Sequence, residues 1–171
     1  MKRIVIAIIL AALILFGASF GLQGIAAKNA QEEHLWLMQT LLPDSESFTV
    51  EPYSGEDANI RSVHKADNGY VIETVTYGYA GEIKMVIGVS NEGKVTGLQV
   101  RDIEETFGLG GEALTDHEFL RQYLQTSGEA EVGVNVDAIS GATVTSKAIT
   151  RCVNSAVAYV TGADASSGAT S

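Results

Sequence analysis

The segment that most constrains this chain runs from Val144 to Val160. Its apolar residues fall at Val144, Ala148, Ile149, Cys152, Val153, Ala156, Val157 and Val160, the spacing of a helix with one buried stripe. Directly before it stands Asp137-Ala138-Ile139-Ser140-Gly141-Ala142-Thr143, a run of small residues and hydroxyls. Ser140 to Ser146 is therefore expected at a helix N-terminus. Unpaired N–H groups and the positive end of the dipole there favour an anion. Gly141 lets the backbone turn sharply and approach a ligand closely. On residue type alone, Ser140, Thr143 and Ser146 are also ordinary N-cap candidates.

A helix with one apolar stripe needs a partner layer, and the residues before it supply one. Tyr70 to Tyr77 alternates β-branched and other residues and reads as a strand. Ile83 to Val89 reads as a second. Asn91-Glu92-Gly93-Lys94 is the turn to a third at Val95 to Val100. These form a meander of adjacent antiparallel strands. Thr115 to Gln125 is a candidate helix with Phe119, Leu120, Tyr123 and Leu124 apolar, and Val132 to Val136 a candidate short strand leading into the motif. Gln31 to Leu42 is expected as a short helix, with Leu35, Met38 and Leu42 on one side and Pro43 ending it. Pro43 to Gly69 is polar and turn-rich. The expected fold class is α+β, a small twisted antiparallel sheet with packed helices, behind an N-terminal transmembrane helix.

Ile4 to Leu22 carries no charge, and apolar character continues to Ala27. Roughly 20 apolar residues span a bilayer core. Lys2 and Arg3 mark the cytoplasmic flank, which puts the rest of the chain outside the cytoplasm. A cleaved signal peptide is the alternative. His34 and Trp36 are expected on a membrane-proximal face. The expected organisation is an anchor over 1–27, a membrane-proximal helix and linker over 28–69, one folded domain over 70–161 and a disordered tail over 162–171. The tail is small, polar and low in complexity.

Charge and composition exclude several classes. Lys2 and Arg3 precede the apolar stretch, which leaves 9 basic against 21 acidic residues, a net of −12. That argues against nucleic acid, which needs basic patches. The only cysteine, Cys152, precludes an intramolecular disulfide and lies on the apolar stripe. His34, His64 and His117 are scattered without metal-ligand spacing, so no metal site is expected. Glu104 and Glu105 are adjacent, and neighbours on a strand point to opposite faces, so they make a poor acid–base pair. No residue set reads as a self-contained catalytic site.

The run Asp137 to Thr143 resembles Asp-x-x-(Ser/Thr)-Gly-Ala-Thr. This is the flavinylation motif of FMN-binding domains in the G subunits of Rnf complexes and the C subunits of sodium-translocating NADH:quinone reductases. In that family a transferase joins FMN, through its phosphate, to the hydroxyl of the last Thr, here Thr143. Upstream, Glu105-Thr106-Phe107-Gly108-Leu109-Gly110 resembles the family's His-x-Glu-Thr-Pro-Gly-Leu-Gly loop, which lies by the flavin. Ile103 stands in place of the His and Phe107 in place of the Pro. A second copy of the motif, Asp164 to Thr170, repeats the offsets with Ser166 in place of Ile139 and nothing helical after it. Thr143 is the expected attachment site and Thr170 the alternative.

The resemblance, which covers most of residues 70 to 160, implies the following. FMN is covalent on Thr143. Glu105, Thr106, Leu109, Gly110, Asp137, Ser140, Gly141 and Ala142 contact the cofactor. The chain is an electron-transfer subunit rather than a self-contained enzyme, anchored by one helix with its flavin domain outside the cytoplasm. Its partners are the membrane subunits of an Rnf-type ferredoxin:NAD oxidoreductase, a flavin transferase and membrane lipid. A free-standing extracytoplasmic flavoprotein, or a binding module without covalent flavin, are the competing readings.

Overall fold

A computed structural model describes residues 28, 29, 31–103 and 116–163. The apolar stretch before residue 28, the Glu105–Gly110 stretch and the motif copy at Thr170 lie outside the described residues. Among the described residues, no helix is long and apolar enough to cross a membrane. The chain divides into two compact units, residues 1–37 and 38–171. In the first, the described residues are helical, Lys28 pairs with Glu32 at 3.7 Å, and Leu35 and Trp36 are exposed. Residues 31–41 are helical (α1), and in the second unit Met38, Leu41 and Leu42 are buried.

The second unit is built on one five-stranded antiparallel sheet in the order β1-β2-β3-β4-β5. Its strands are β1 (Thr49–Glu51), β2 (Ile60–Lys65), β3 (Gly69–Tyr77), β4 (Glu82–Ser90) and β5 (Val95–Ile103). Every neighbouring pair is consecutive in sequence, as expected of the meander. β1 and β2 correct the expectation of a linker over 43–69. They lie in the same sheet, with Val50 opposite His64 and Val63 opposite Ile72. The alternation that marks a strand is broken in β2, because a register shift between Ile60 and Ser62 brings Ile60 and Val63, three residues apart, into one core.

One face of the sheet is covered by α3 (Thr143–Thr161). Ile72 and Ile87 stand opposite each other on that face, as do Tyr70 and Val89, and Thr74 and Met85. Against them α3 buries Ile149, Cys152, Val153, Ala156 and Val157. The expected stripe holds except at its first residue: Val144 is 51% exposed, while Thr145 and Ser146 of the same turn are buried. On the opposite face, Leu41 crosses the paired glycines Gly88 and Gly97, where any Cβ would overlap the Leu41 backbone. Thr96 Oγ1 donates to Leu41 O at 2.6 Å. The short helix α2 (His117–Arg121) is capped by Asp116, whose carboxylate accepts from Phe119 N, and is followed by turns to residue 125. The expected strand over 132–136 is instead a tight turn. Val132 and Val136 form an isolated bridge, and Glu131 O accepts from the amides of Val134, Asn135 and Val136.

Candidate functional site

The approach to α3 is a built turn. Ala142 N donates to Ile139 O at 2.9 Å, and between them Gly141 adopts φ 76°. That is the left-handed third position of a type II turn, which glycine fills without strain. A Cβ added at Gly141 would have no heavy atom within 4 Å, so the space in front of the turn is open. Two side chains that carry no motif signal hold this turn in place. Ser146 Oγ accepts from Ile139 N and donates to Ala142 O, each at 3.0 Å. Gln122, at the C-cap of α2, accepts from Asp137 N at 2.7 Å and donates to Asp137 O at 3.2 Å. The main chain of Asp137 is thus clamped while its side chain stays exposed.

The helix opens without a side-chain cap. Its N-cap is the buried Ala142, and Thr143 is the first helical residue. This corrects the expectation of a hydroxyl cap: Ser140 and Thr143 are exposed, and Ser146 is buried one turn inside, bonded backwards to the turn. The first intrahelical bond runs from Ser146 N to Ala142 O. Helix geometry therefore leaves the amides of Thr143 and Val144 without i−4 partners at the positive end of a 19-residue helix. An exposed hydroxyl beside two such amides, with open space before Gly141, suits a phosphoryl group.

Of the expected contacts, Asp137, Ser140, Gly141, Ala142 and Thr143 come together in this one turn. Glu105, Thr106, Leu109 and Gly110 lie outside the described residues, as does Phe107. The strand that leads to them does not. β5 ends at Ile103 opposite Ile83 of β4, and β3, on the other side of β4, ends at Tyr77 opposite Glu82. Arg151 of α3 donates from Nη2 to Tyr77 O at 3.3 Å. The other end of α3 lies by the β4–β5 turn, where Thr161 sits against Gly93. The start of α3 and the exit of β5 therefore belong to the same end of the sheet.

A groove of about 890 Å³ runs along α3 from Lys147 to Ala158. Its floor is the outward face of α3, with Lys147, Arg151, Asn154 and Ala158; its walls are Pro52–Asn59 and Ala130–Val132. Tyr53 cinches the first wall: its hydroxyl accepts from Asp57 N at 3.0 Å and donates to Asp57 O at 3.2 Å. Asn59 Nδ2 donates to Ser155 Oγ at 3.2 Å and Asn154 Nδ2 to Ala130 O at 2.8 Å, so each wall is tied to the helix. Tyr159 closes the far end, edge-on to Tyr53 at 5.8 Å. Its hydroxyl donates to Glu51, and burial together with that carboxylate raises its pKa. Behind the helix, burial pushes the Cys152 thiol up to about 11, which makes it an inert core residue at neutral pH.

The fold and the turn define a class, a small α+β domain with an open glycine turn at the head of the 19-residue helix α3. The family model described as FMN-binding domain matches residues 78–158. The G subunit of the ion-translocating oxidoreductase complex of Methanosarcina acetivorans is 34% identical over 145 residues, 75% of this chain and 76% of that protein. The G subunit of the Na(+)-translocating ferredoxin:NAD(+) oxidoreductase complex of Acetobacterium woodii is 36% identical over 98 residues, 52% of this chain and 47% of its own. The G subunit of the proton-translocating ferredoxin:NAD(+) oxidoreductase complex of Clostridium ljungdahlii is 36% identical over 99 residues, 54% and 53% of the two chains. The chain thus spans three quarters of the first relative's length and about half of the other two. It belongs to the FMN-binding domain family, among the G subunits of ion-translocating oxidoreductase complexes.

Proposed function

We propose that this chain is the flavin-bearing, membrane-anchored G subunit of an Rnf-type complex. FMN is held as a phosphodiester on Thr143 Oγ, and the domain relays electrons outside the cytoplasm. The observation that carries this reading is Thr143 itself. It is an exposed hydroxyl at the first position of α3, next to two amides that helix geometry leaves without i−4 partners and to a glycine turn with open space before it. A phosphodiester retains one negative charge, which the helix end favours. When bound, the flavin supplies electron-transfer chemistry that side chains lack. The chain's own residues hold it: the turn over Ile139–Ala142 fixes the direction of Thr143 Oγ, and Gln122 and Ser146 keep that turn rigid. Glu105, Thr106, Leu109 and Gly110 are assigned to the flavin's other side, a role supported by the exit of β5 at the same end of the sheet.

The apolar run before residue 28 anchors the domain in the cell membrane with its N-terminus cytoplasmic. The membrane subunits of the complex, lipid and a flavin transferase are its partners. The reading is tested by expressing the full chain with a flavin transferase and scoring covalent flavin by in-gel fluorescence. Thr143→Ala is expected to be dark and Thr170→Ala as bright as the wild type. A bright Thr143→Ala protein would move the site to the tail. Added protease is expected to digest the domain in intact spheroplasts; protection until lysis contradicts the topology.

A further inference from the structure

We propose that the groove along the outward face of α3 is a docking cleft, separate from the flavin turn, for an extended acidic segment of a membrane subunit of the complex. The inference rests on the reading of this chain as a subunit of an Rnf-type complex. No residue of the run Asp137–Thr143 lines the groove, so the groove takes a second ligand. It is also preformed. Asn59 ties one wall to Ser155, and Asn154 ties the other through Ala130, so both walls are fixed on α3 before anything binds, which lowers the cost of docking. From Lys147 to Ala158 the helix axis advances about 16 Å, the length of about five residues of extended chain.

Charge selects the occupant. After Arg3 the chain carries 9 basic and 21 acidic residues, yet the groove floor presents two exposed cations, Lys147 and Arg151. They stand one turn apart on one face of the helix. Among the described residues neither forms an ion pair, and the bond from Arg151 goes to a neutral carbonyl, Tyr77 O, which leaves its charge uncompensated. The walls have the opposite sign, with Glu56 and Glu131 exposed on them. Those carboxylates repel a broad anionic surface such as a lipid headgroup layer. They accept a narrow chain whose acidic side chain lies over the floor and whose main-chain N–H groups face the walls. At the far end the rings of Tyr53 and Tyr159 meet edge-on at 5.8 Å, a seat for an apolar or aromatic side chain. Arg151 and Tyr159 are about 12 Å apart along the axis, so the segment carries its acidic and its apolar residue about three to four positions apart.

The test uses the assembled complex, purified from membranes through an affinity tag on the full-length chain. Lys147→Glu combined with Arg151→Glu reverses the charge of the floor. Covalent flavin is expected at the wild-type level, because both positions lie outside the turn before Thr143, while recovery of the membrane subunits is expected to fall about tenfold. Lys94→Glu combined with Arg121→Glu makes the same change in net charge at two exposed positions outside the groove, and recovery is expected to be unchanged. A photo-reactive benzoylphenylalanine placed at Ser54, in the wall, maps the occupant independently of any charge reversal. Its adduct is expected on a membrane subunit, in a peptide with an Asp or Glu about three to four positions from an apolar residue. Full recovery with the floor reversed, an equal loss in the control, or a Ser54 adduct with lipid or the flavin transferase instead of a membrane subunit overturns the inference and leaves the chain a subunit of the complex. A wild-type chain that brings down no membrane subunit would instead overturn membership in the complex, and the docking segment with it.

Discussion

Two glycines share one backbone angle and do opposite jobs. Gly93 in the β4–β5 turn and Gly141 before α3 both sit at φ 76°. A Cβ on Gly93 would run into Thr161 Cγ2 at the end of α3, with Val157 behind it. A Cβ on Gly141 would meet nothing within 4 Å. The first glycine is enclosed by the fold, and its absent side chain lets the last turn of the helix close on the hairpin. The second is left open, so its conformation is fixed without any packing to justify the space. A turn held rigid by two buried or clamped contacts, yet facing a void, is the signature expected of a site rather than of a core.

That contrast can be broken by one methyl group at each position. Gly93→Ala carries the left-handed penalty of about 1–2 kcal/mol and an overpacking cost of about 1–3 kcal/mol. Urea denaturation is expected to register a loss on the order of 2–5 kcal/mol, the sum of those two costs, with flavin attachment normal in the folded fraction. Gly141→Ala is expected to cost only the conformational part, about 1–2 kcal/mol. Its flavin content, however, should fall severalfold, and Gly141→Val should nearly abolish it. Equal stability losses at the two glycines, or normal flavin in a folded Gly141→Val protein, would erase the distinction between a closed turn and an open one.

A second contrast lies in pH. Cys152 is enclosed by the core, and its thiol is raised from 9.0 to about 11. Between those values the folded protein keeps a proton that the unfolded chain releases. Stability is therefore expected to fall as pH rises from about 9 to 11, by about 2–3 kcal/mol at roughly 1.36 kcal/mol per unit. Cys152→Ala should flatten that part of the decline, measured by denaturation at stepped pH. The smallest effect is expected at Gln122→Ala, which frees both main-chain groups of Asp137 at the surface. A stability loss of about 1 kcal/mol and a partial drop in flavin content would assign Gln122 to positioning the turn; a stability loss with full flavin would confine it to the fold.

How much of the molecule is legible in the sequence depends on how local each signal is. The α3 stripe and the β3–β5 meander depend on periodicity within single segments, and both are present in the fold. β1 and β2 are not legible, because Thr49-Val50-Glu51 is three residues of mixed character and the irregularity after Ile60 destroys the alternation of β2. The hydroxyl cap fails as an expectation because capping propensity ignores tertiary competition: Ser146 spends its oxygen on the turn at Ile139 instead. Gln122 carries no signal at all, since its partner is set by where α2 meets the motif. The groove is equally hidden. Its walls come from residues 52–59 and 130–132, and only the fold brings them to the two sides of α3.

The central claim is that the hydroxyl heading α3 carries the flavin, and peptide-resolved mass spectrometry of the native, membrane-extracted protein tests it most directly. A single FMN increment is expected on the intact chain, carried by the peptide that contains Thr143. An unmodified Thr143 peptide, with the increment on the peptide that contains Thr170 or on none, would contradict it.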